Sequence, residues 1–311
     1  MQTYATTKSS SICNATRNRD ICSSVVPSRE AAAPKILDMQ AQYPLVGTAT
    51  FKILELPRPF ATPPDIILPP VDDFGWPHGE DYSALLEART PSLSTRTTFR
   101  GLKFARRYEA LSIGELWLLF ALLFHPYVVD IREQYGVYDS ARLMREMRAG
   151  RRMLRTDLMT LDVTVTYVLP GSRQLRYHTV SVKHGNYTPD ETDLKREQRE
   201  REAMAARGWT WELVKRDALT AREWSNYFVL YRAVRDQNVE ALYERAQDFA
   251  QVVLRSSLRA DMNSVLVRLA RRLELTETLT HHLFSVAVAY GFLTIDHNKE
   301  LRGDAPIALI R

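Results

Sequence analysis

Leu161-Asp162-Val163-Thr164-Val165-Thr166-Tyr167-Val168 alternates apolar and polar residues, Pro170-Gly171-Ser172 supplies a turn, and Leu175-Arg176-Tyr177-His178-Thr179-Val180-Ser181-Val182-Lys183 alternates again. Period two on both sides of a turn reads as a hairpin of two strands. Downstream, Asp190 to Arg207 is a strongly charged helix, Gly208 stands where a left-handed residue ends it, and Trp209-Thr210-Trp211-Glu212-Leu213-Val214 is another strand. Upstream, Ser112 and Glu115 form a capping-box pair ahead of Leu116, Leu119, Phe120, Leu122 and Leu123, a buried helix that ends near His125-Pro126. A short apolar strand, Tyr127-Val128-Val129-Asp130-Ile131, follows it. The order α-β-β-β-α-β predicts a mixed α/β core, with residues 81–90 adding a short helix in front.

The chain has 311 residues, 45% hydrophobic and 25% charged with 12 Gly, room for roughly two domains and outside the range of collagen-like or wholly disordered chains. Ten of its 15 prolines fall in residues 1–80, which read as a Pro-rich, largely flexible extension, with the alternative that Phe51–Leu56 and Pro64–Trp76 lie along the surface of the folded part or dock on a partner. That segment carries seven Lys/Arg against eight Asp/Glu, so the overall +5 becomes +6 in the remainder, which permits nucleic acid as a partner. Cys13 and Cys22 are too few for a disulfide framework or a metal knuckle and read as inert thiols. The sequon Asn14-Ala15-Thr16 follows no apolar signal region, and the most apolar run, Leu116 to Val129, is too short to span a bilayer, so the expectation is a cytoplasmic chain with no membrane partner.

After residue 217 the pattern is helical, with Ala221–Arg235, Val239–Leu258, Asp261–Leu273 and Thr276–Tyr290, and the last two helices plus a closing polar hairpin have winged-helix proportions. The expected division is therefore an extension over 1–80, a catalytic α/β domain over 81–217 and an all-α winged-helix-like domain over 218–311. Arg268, Arg271 and Arg272 make one face of that tail cationic. Two further clusters stand out: Arg96, Arg100, Lys103, Arg106 and Arg107, five cations within twelve residues interleaved with Phe99, Phe104 and Tyr108, and an arginine ladder from Arg142 to Arg155. Both read as candidate phosphate contacts or as solvated faces.

The hairpin also carries chemistry. Asp162 opens its first strand and Lys183 closes its second, so a tight turn brings them to one sheet edge, with Ser181 on the same face as Lys183. Glu115 on the preceding helix adds a second carboxylate. Hydrolysis of a phosphodiester needs hard oxygen ligands for a divalent cation and a positive group near the attacking water, which this set can supply. It is the pattern of the PD-(D/E)xK restriction-endonuclease fold, although Glu115 also serves as a capping residue and Lys183 also suits a solvated strand end.

Ser112-Ile113-Gly114-Glu115, the Leu-rich helix, and Pro126-Tyr127-Val128-Val129-Asp130-Ile131-Arg132-Glu133-Gln134-Tyr135 resemble TnsA, the endonuclease subunit of heteromeric cut-and-paste transposases. Met159 to Asp162, Val180 to Lys183 and Glu197 to Trp211 fall in that family's order, so the likeness covers about residues 90–217 by motif. The resemblance implies a restriction-endonuclease-like sheet core flanked by helices. It implies Glu115, Asp162 and Lys183 in the catalytic places, and Mg²⁺, or Mn²⁺ in its stead, held by Glu115, Asp162, Ser181 and the Val182 carbonyl. One position departs: Ser181 stands where the family has Gln, or its relatives Asp or Glu. With the basic cluster Arg96, Arg100, Lys103, Arg106 and Arg107, the residues Arg132 and Gln134 complete the expected DNA contacts.

The implied task is hydrolysis of the 5′ (non-transferred) strands at double-stranded transposon ends in bacterial cytoplasm, on the nucleoid. A DDE transposase subunit (TnsB-like) would cut the 3′ strands, and an AAA+ ATPase regulator (TnsC-like) would contact residues 218–311. No Gly-rich phosphate loop is present, so ATP belongs to a partner. The competing readings are a stand-alone restriction or defence nuclease on the same fold, and a catalytically impaired DNA-binding adaptor weakened at Ser181.

Overall fold

The computed structural model describes residues 51–88, 95–139, 142, 145–146, 148–151 and 158–310. Cys13, Cys22, the sequon and the ladder residues Arg152 and Arg155 lie outside them. A hairpin of β1 (Thr97–Arg100) and β2 (Arg107–Ala110) leads into α1 (Ile113–Leu123). Then come β3 (Val128–Val137), β4 (Met159–Tyr167), β5 (Arg176–Lys183), α2 (Glu191–Ala205) and β6 (Thr210–Lys215). Helices α3 (Ala221–Val234), α4 (Tyr243–Leu254), α5 (Met262–Arg272) and α6 (Glu277–Ala289) follow, closed by the short pair β7 (Thr294–Ile295) and β8 (Leu309–Ile310). The molecule is thus mixed α/β, with a central sheet ordered β3-β4-β5-β6 whose first two pairings are antiparallel and whose last is parallel.

Local chemistry explains these boundaries. The Ser112 hydroxyl accepts from the Glu115 amide at 3.2 Å, and the Glu115 carboxylate answers by accepting from the Leu111 amide at 2.9 Å, so α1 begins where the spacing predicts. Asp190 and Asp193 cap α2 reciprocally, and Gly208 takes φ +70° after it. A crossover of this length is what allows β6 to lie parallel to β5.

One apolar cluster runs from Phe51 through α1 and the inner sheet face, with Val163, Val165 and Val180, into the tail with Tyr227, Leu266, Phe284 and Ile307. Ring pairs join α1 and its C-cap residue Phe124 to α3, with Phe124 on Tyr227 at 5.7 Å and Phe120 on Tyr231 at 4.9 Å. A second cluster on the opposite face holds Tyr135, Leu161, Met204, Trp209 and Trp211. Among the described residues, no helix is long and apolar enough to cross a membrane.

Two expectations are corrected. Residues 51–80, read as part of a flexible extension, pack on the core: Phe51 stacks on Tyr167 at 5.2 Å, Ile53 is fully buried, and Phe60 stacks on Tyr127 at 4.0 Å. Each proline removes an amide that would need a partner, and core groups bond the strap's remaining polar atoms, as Tyr127 Oη does by donating to Pro57 O at 2.6 Å and Tyr290 O by accepting from the Thr62 amide. Residues 81–90 were expected as a helix, yet over the described part, 81–88, helical structure stops with the single turn Gly79–Asp81. The polar groups there are spent on neighbours: Tyr82 Oη donates to Glu133 O, the Leu85 amide to Gln134 O and the Ala88 amide to Glu109.

Candidate active site

The candidate site is made by a parting of the sheet. The β4–β5 ladder runs from Tyr167–Arg176 to Val163–Val180. Past that rung β4 stays with β3 as far as Met159–Val137, while β5 stays with β6 as far as Lys183–Lys215. Asp162 and Ser181 are the first residues beyond the rung. The Val182 amide, released from the ladder, donates to Asp162 Oδ2 at 2.6 Å, and this bond bridges the parting.

Strand β3 closes the site from its other flank. Gln134 sits at φ +49°, a left-handed conformation that a non-glycine residue rarely adopts. Ile131 before it faces the first apolar cluster, whereas Tyr135 and Val137, of the same parity, face the second. Gln134 lies between the rungs Glu133–Val163 and Tyr135–Leu161, level with Asp162, and its Nε2 donates to Glu115 Oε2 at 2.9 Å. Helix α1 reaches the sheet because residue 114 is glycine: a Cβ there would stand 3.1 Å from Val182 Cγ1.

Electrostatics set the two carboxylates apart. Burial, with the nearby Asp162 carboxylate adding to it, pushes Glu115 up to about 7 against the opposing bonds from Leu111, Ser112 and Gln134. Burial pushes Asp162 up to about 6, with the Glu200 charge adding and the Val182 amide opposing. Lys183 is half-buried at the strand end, its ammonium 5.0 Å from the centroid of the Tyr187 ring. Glu115, Asp162, Ser181, Val182 and Lys183 are therefore brought together.

As for a metal, among the described residues no group of three or more His, Cys, Asp or Glu side chains is disposed to hold one. The donor set here is smaller. It comprises two hard carboxylates, raised toward neutrality by burial and by proximity, together with hydroxyl and main-chain oxygen, and it matches the oxygen preference of Mg²⁺ or Mn²⁺.

The expected DNA contacts are largely not at the surface. Arg132 is fully buried, paired with Asp72, and Gln134 is 2% exposed. Arg106, 8% exposed, grips Glu133 with two nitrogens at 2.8 and 2.6 Å. Lys103 is half-buried, its ammonium donating to Val128 O, and burial lowers it to about 7. Arg96 is half-buried, and Arg107 is exposed but paired with Glu109 at 2.7 Å. Arg100 remains an exposed cation of this group, as do Arg268, Arg271 and Arg272 on α5. The reason is long-range: the anions that neutralise Arg106 and Arg132 lie 27 and 60 residues away in the chain.

Glu200 is a residue that reading by motif missed. It projects from α2 with 2% exposure and accepts from Ser181 Oγ at 2.5 Å, Trp211 Nε1 at 3.2 Å and Arg196 Nε at 2.9 Å. Its spacing with Glu197 and Met204 on the buried face of a charged helix was the available signal. Compared with known proteins, the chain matches no family model and no curated sequence.

Proposed function

We propose that this chain is a metal-dependent DNA endonuclease with a restriction-endonuclease-like core and a winged-helix-like tail. In this reading it is the TnsA-like subunit of a transposase and hydrolyses the 5′ strands at transposon ends beside a DDE transposase and an AAA+ regulator. The observation that carries the reading is the parted β4–β5 edge, where Asp162 and Ser181 lie just past the last rung, Asp162 accepts from the Val182 amide, and Gln134 holds Glu115 on the neighbouring flank. The sheet order β3-β4-β5-β6, with a helical crossover before its parallel strand, supports the fold assignment.

Glu115 and Asp162 would hold Mg²⁺, which when bound supplies charge neutralisation at a phosphate oxygen and a more acidic water. The chain's own groups divide the remaining work. The Val182 amide fixes the rotamer of Asp162, and Gln134 with Leu111 and Ser112 fixes that of Glu115, so neither carboxylate has to be reorganised when DNA arrives. Lys183, half-buried at the strand end, would orient the attacking water and stabilise the negative charge that builds on the non-bridging oxygens of the pentacoordinate phosphorane.

The reading as an impaired adaptor draws its support from the short side chain at Ser181. Cleavage of transposon-end DNA with Mg²⁺ and the partner transposase tests both. Asp162→Ala and Lys183→Ala are expected to lose the 5′-strand cuts and keep the 3′-strand cuts, and unchanged 5′ cutting in both would remove this site.

A further inference from the structure

Ser181 is a poor residue for its place. It opposes Asp162 at the parting, where a longer oxygen ligand would suit a divalent cation, and a neutral hydroxyl is a weak donor to such an ion. Its surroundings are unusual, however. Ser181 is 4% exposed and its Oγ–H donates to Glu200 Oε2 at 2.5 Å. The hydroxyl hydrogen is thereby committed to an acid, leaving the Oγ lone pairs as acceptors. Glu200 is itself held by Arg196 and by the Trp211 indole, on the far side of the sheet from α1.

We propose that Ser181 and Glu200 act as one unit, in which Glu200 polarises the Ser181 hydroxyl and so makes Oγ a serviceable oxygen ligand at the strand position that otherwise lacks an acid. A hydrogen bond to a charged acceptor in a buried site is stronger than one between neutral groups and shifts electron density onto the donor oxygen. Glu200 is then a positioning residue: it works through Ser181 rather than by touching the ion, in keeping with the lack of a three-acid cluster among the described residues. Helix α2 connects β5 to β6, so one turn of it passes beside Ser181, and Glu200 belongs to the buried stripe with Glu197 and Met204. Its charge also reaches Asp162 across the same gap. The inference rests on the nuclease reading of the site.

Calorimetric titration of the full chain with Mn²⁺ at pH 8, without DNA, separates the possibilities. Wild type is expected to bind and Asp162→Asn to lose binding. Glu200→Gln and Ser181→Ala should each weaken binding roughly 10-fold or more, the usual effect of removing a partner that orients a ligand. The double variant should be no weaker than either single one, because both remove the same unit. Ser181→Asp placed on Glu200→Gln should restore affinity, since an acid on the strand makes the helper unnecessary.

Binding by Glu200→Gln equal to wild type, additive losses in the double variant, or failure of Ser181→Asp to rescue would each overturn the coupled unit while leaving the nuclease reading intact. Should Glu200→Gln not fold, Ser181→Ala against Ser181→Thr decides: equal loss in both denies the hydroxyl its role. A wild type that binds no Mn²⁺ overturns both the unit and the reading beneath it.

Discussion

The amide of Val182 donates to the carboxylate of Asp162 at 2.6 Å, just beyond the last rung between the two strands that carry them. A side chain has taken the place of a main-chain partner. The bond keeps the freed amide satisfied and holds a buried carboxylate at the open edge of the sheet, which a continued ladder would have closed.

Holding two acids there lowers stability. Glu115 and Asp162 have folded-state pKa values raised to about 7 and about 6, so near neutral pH these two groups bind more protons in the folded chain than in the unfolded one. The sign follows. Their unfavourable contribution is absent below about pH 4, grows as pH rises, and is complete above about pH 7. Glu115→Gln and Asp162→Asn, which each keep one accepting oxygen and lose the charge, should each stabilise the chain by about 1–3 kcal/mol at pH 8 and by little at pH 4. Denaturant titration at the two pH values checks this.

Arg132 and Arg106 should behave as core residues. Arg132→Ala leaves Asp72 and Asp130 buried without their cation, and Arg106→Ala strands Glu133. Each is expected to cost about 3–5 kcal/mol, the effect of breaking a buried pair from one side. Chemical denaturation should show it.

Arg100 should behave in the opposite way. It is exposed on β1, and Arg100→Ala should change stability by less than about 0.5 kcal/mol while lowering DNA affinity and the salt slope by about one charge. Binding isotherms at several salt concentrations measure it.

The strap offers a further test. Phe51 is 3% exposed, stacked on Tyr167 and edge-on to His178 at 5.0 Å, so Phe51→Ala should destabilise the chain by about 3–5 kcal/mol. A freely moving arm would show no change in unfolding midpoint.

Much of the framework was legible because it is local. The alternation of 161–183, the Ser112–Glu115 cap and the Asp190 to Gly208 helix all encode their elements within a few residues. What local reading lost depends on distant partners. The cations at 106 and 132 look like a phosphate-binding face until Glu133 and Asp72 fold onto them. The proline-rich strap looks unanchored until Pro57 and Thr62 meet Tyr127 and Pro126. At the site itself, spacing brought Asp162 to Ser181 and Lys183, but the positive φ of Gln134 has no signature in the sequence, and the helical spacing that marks Glu200 as buried does not name Ser181 as its partner.

The central claim is that Glu115 and Asp162 share one divalent cation. Anomalous scattering from crystals grown with Mn²⁺ tests it most directly. The account predicts a single strong peak within bonding distance of both carboxylates, at roughly 2.0–2.3 Å, and its loss in Asp162→Asn. A map with no peak between them, while Val182 and Gln134 keep their bonds to the two acids, would contradict it.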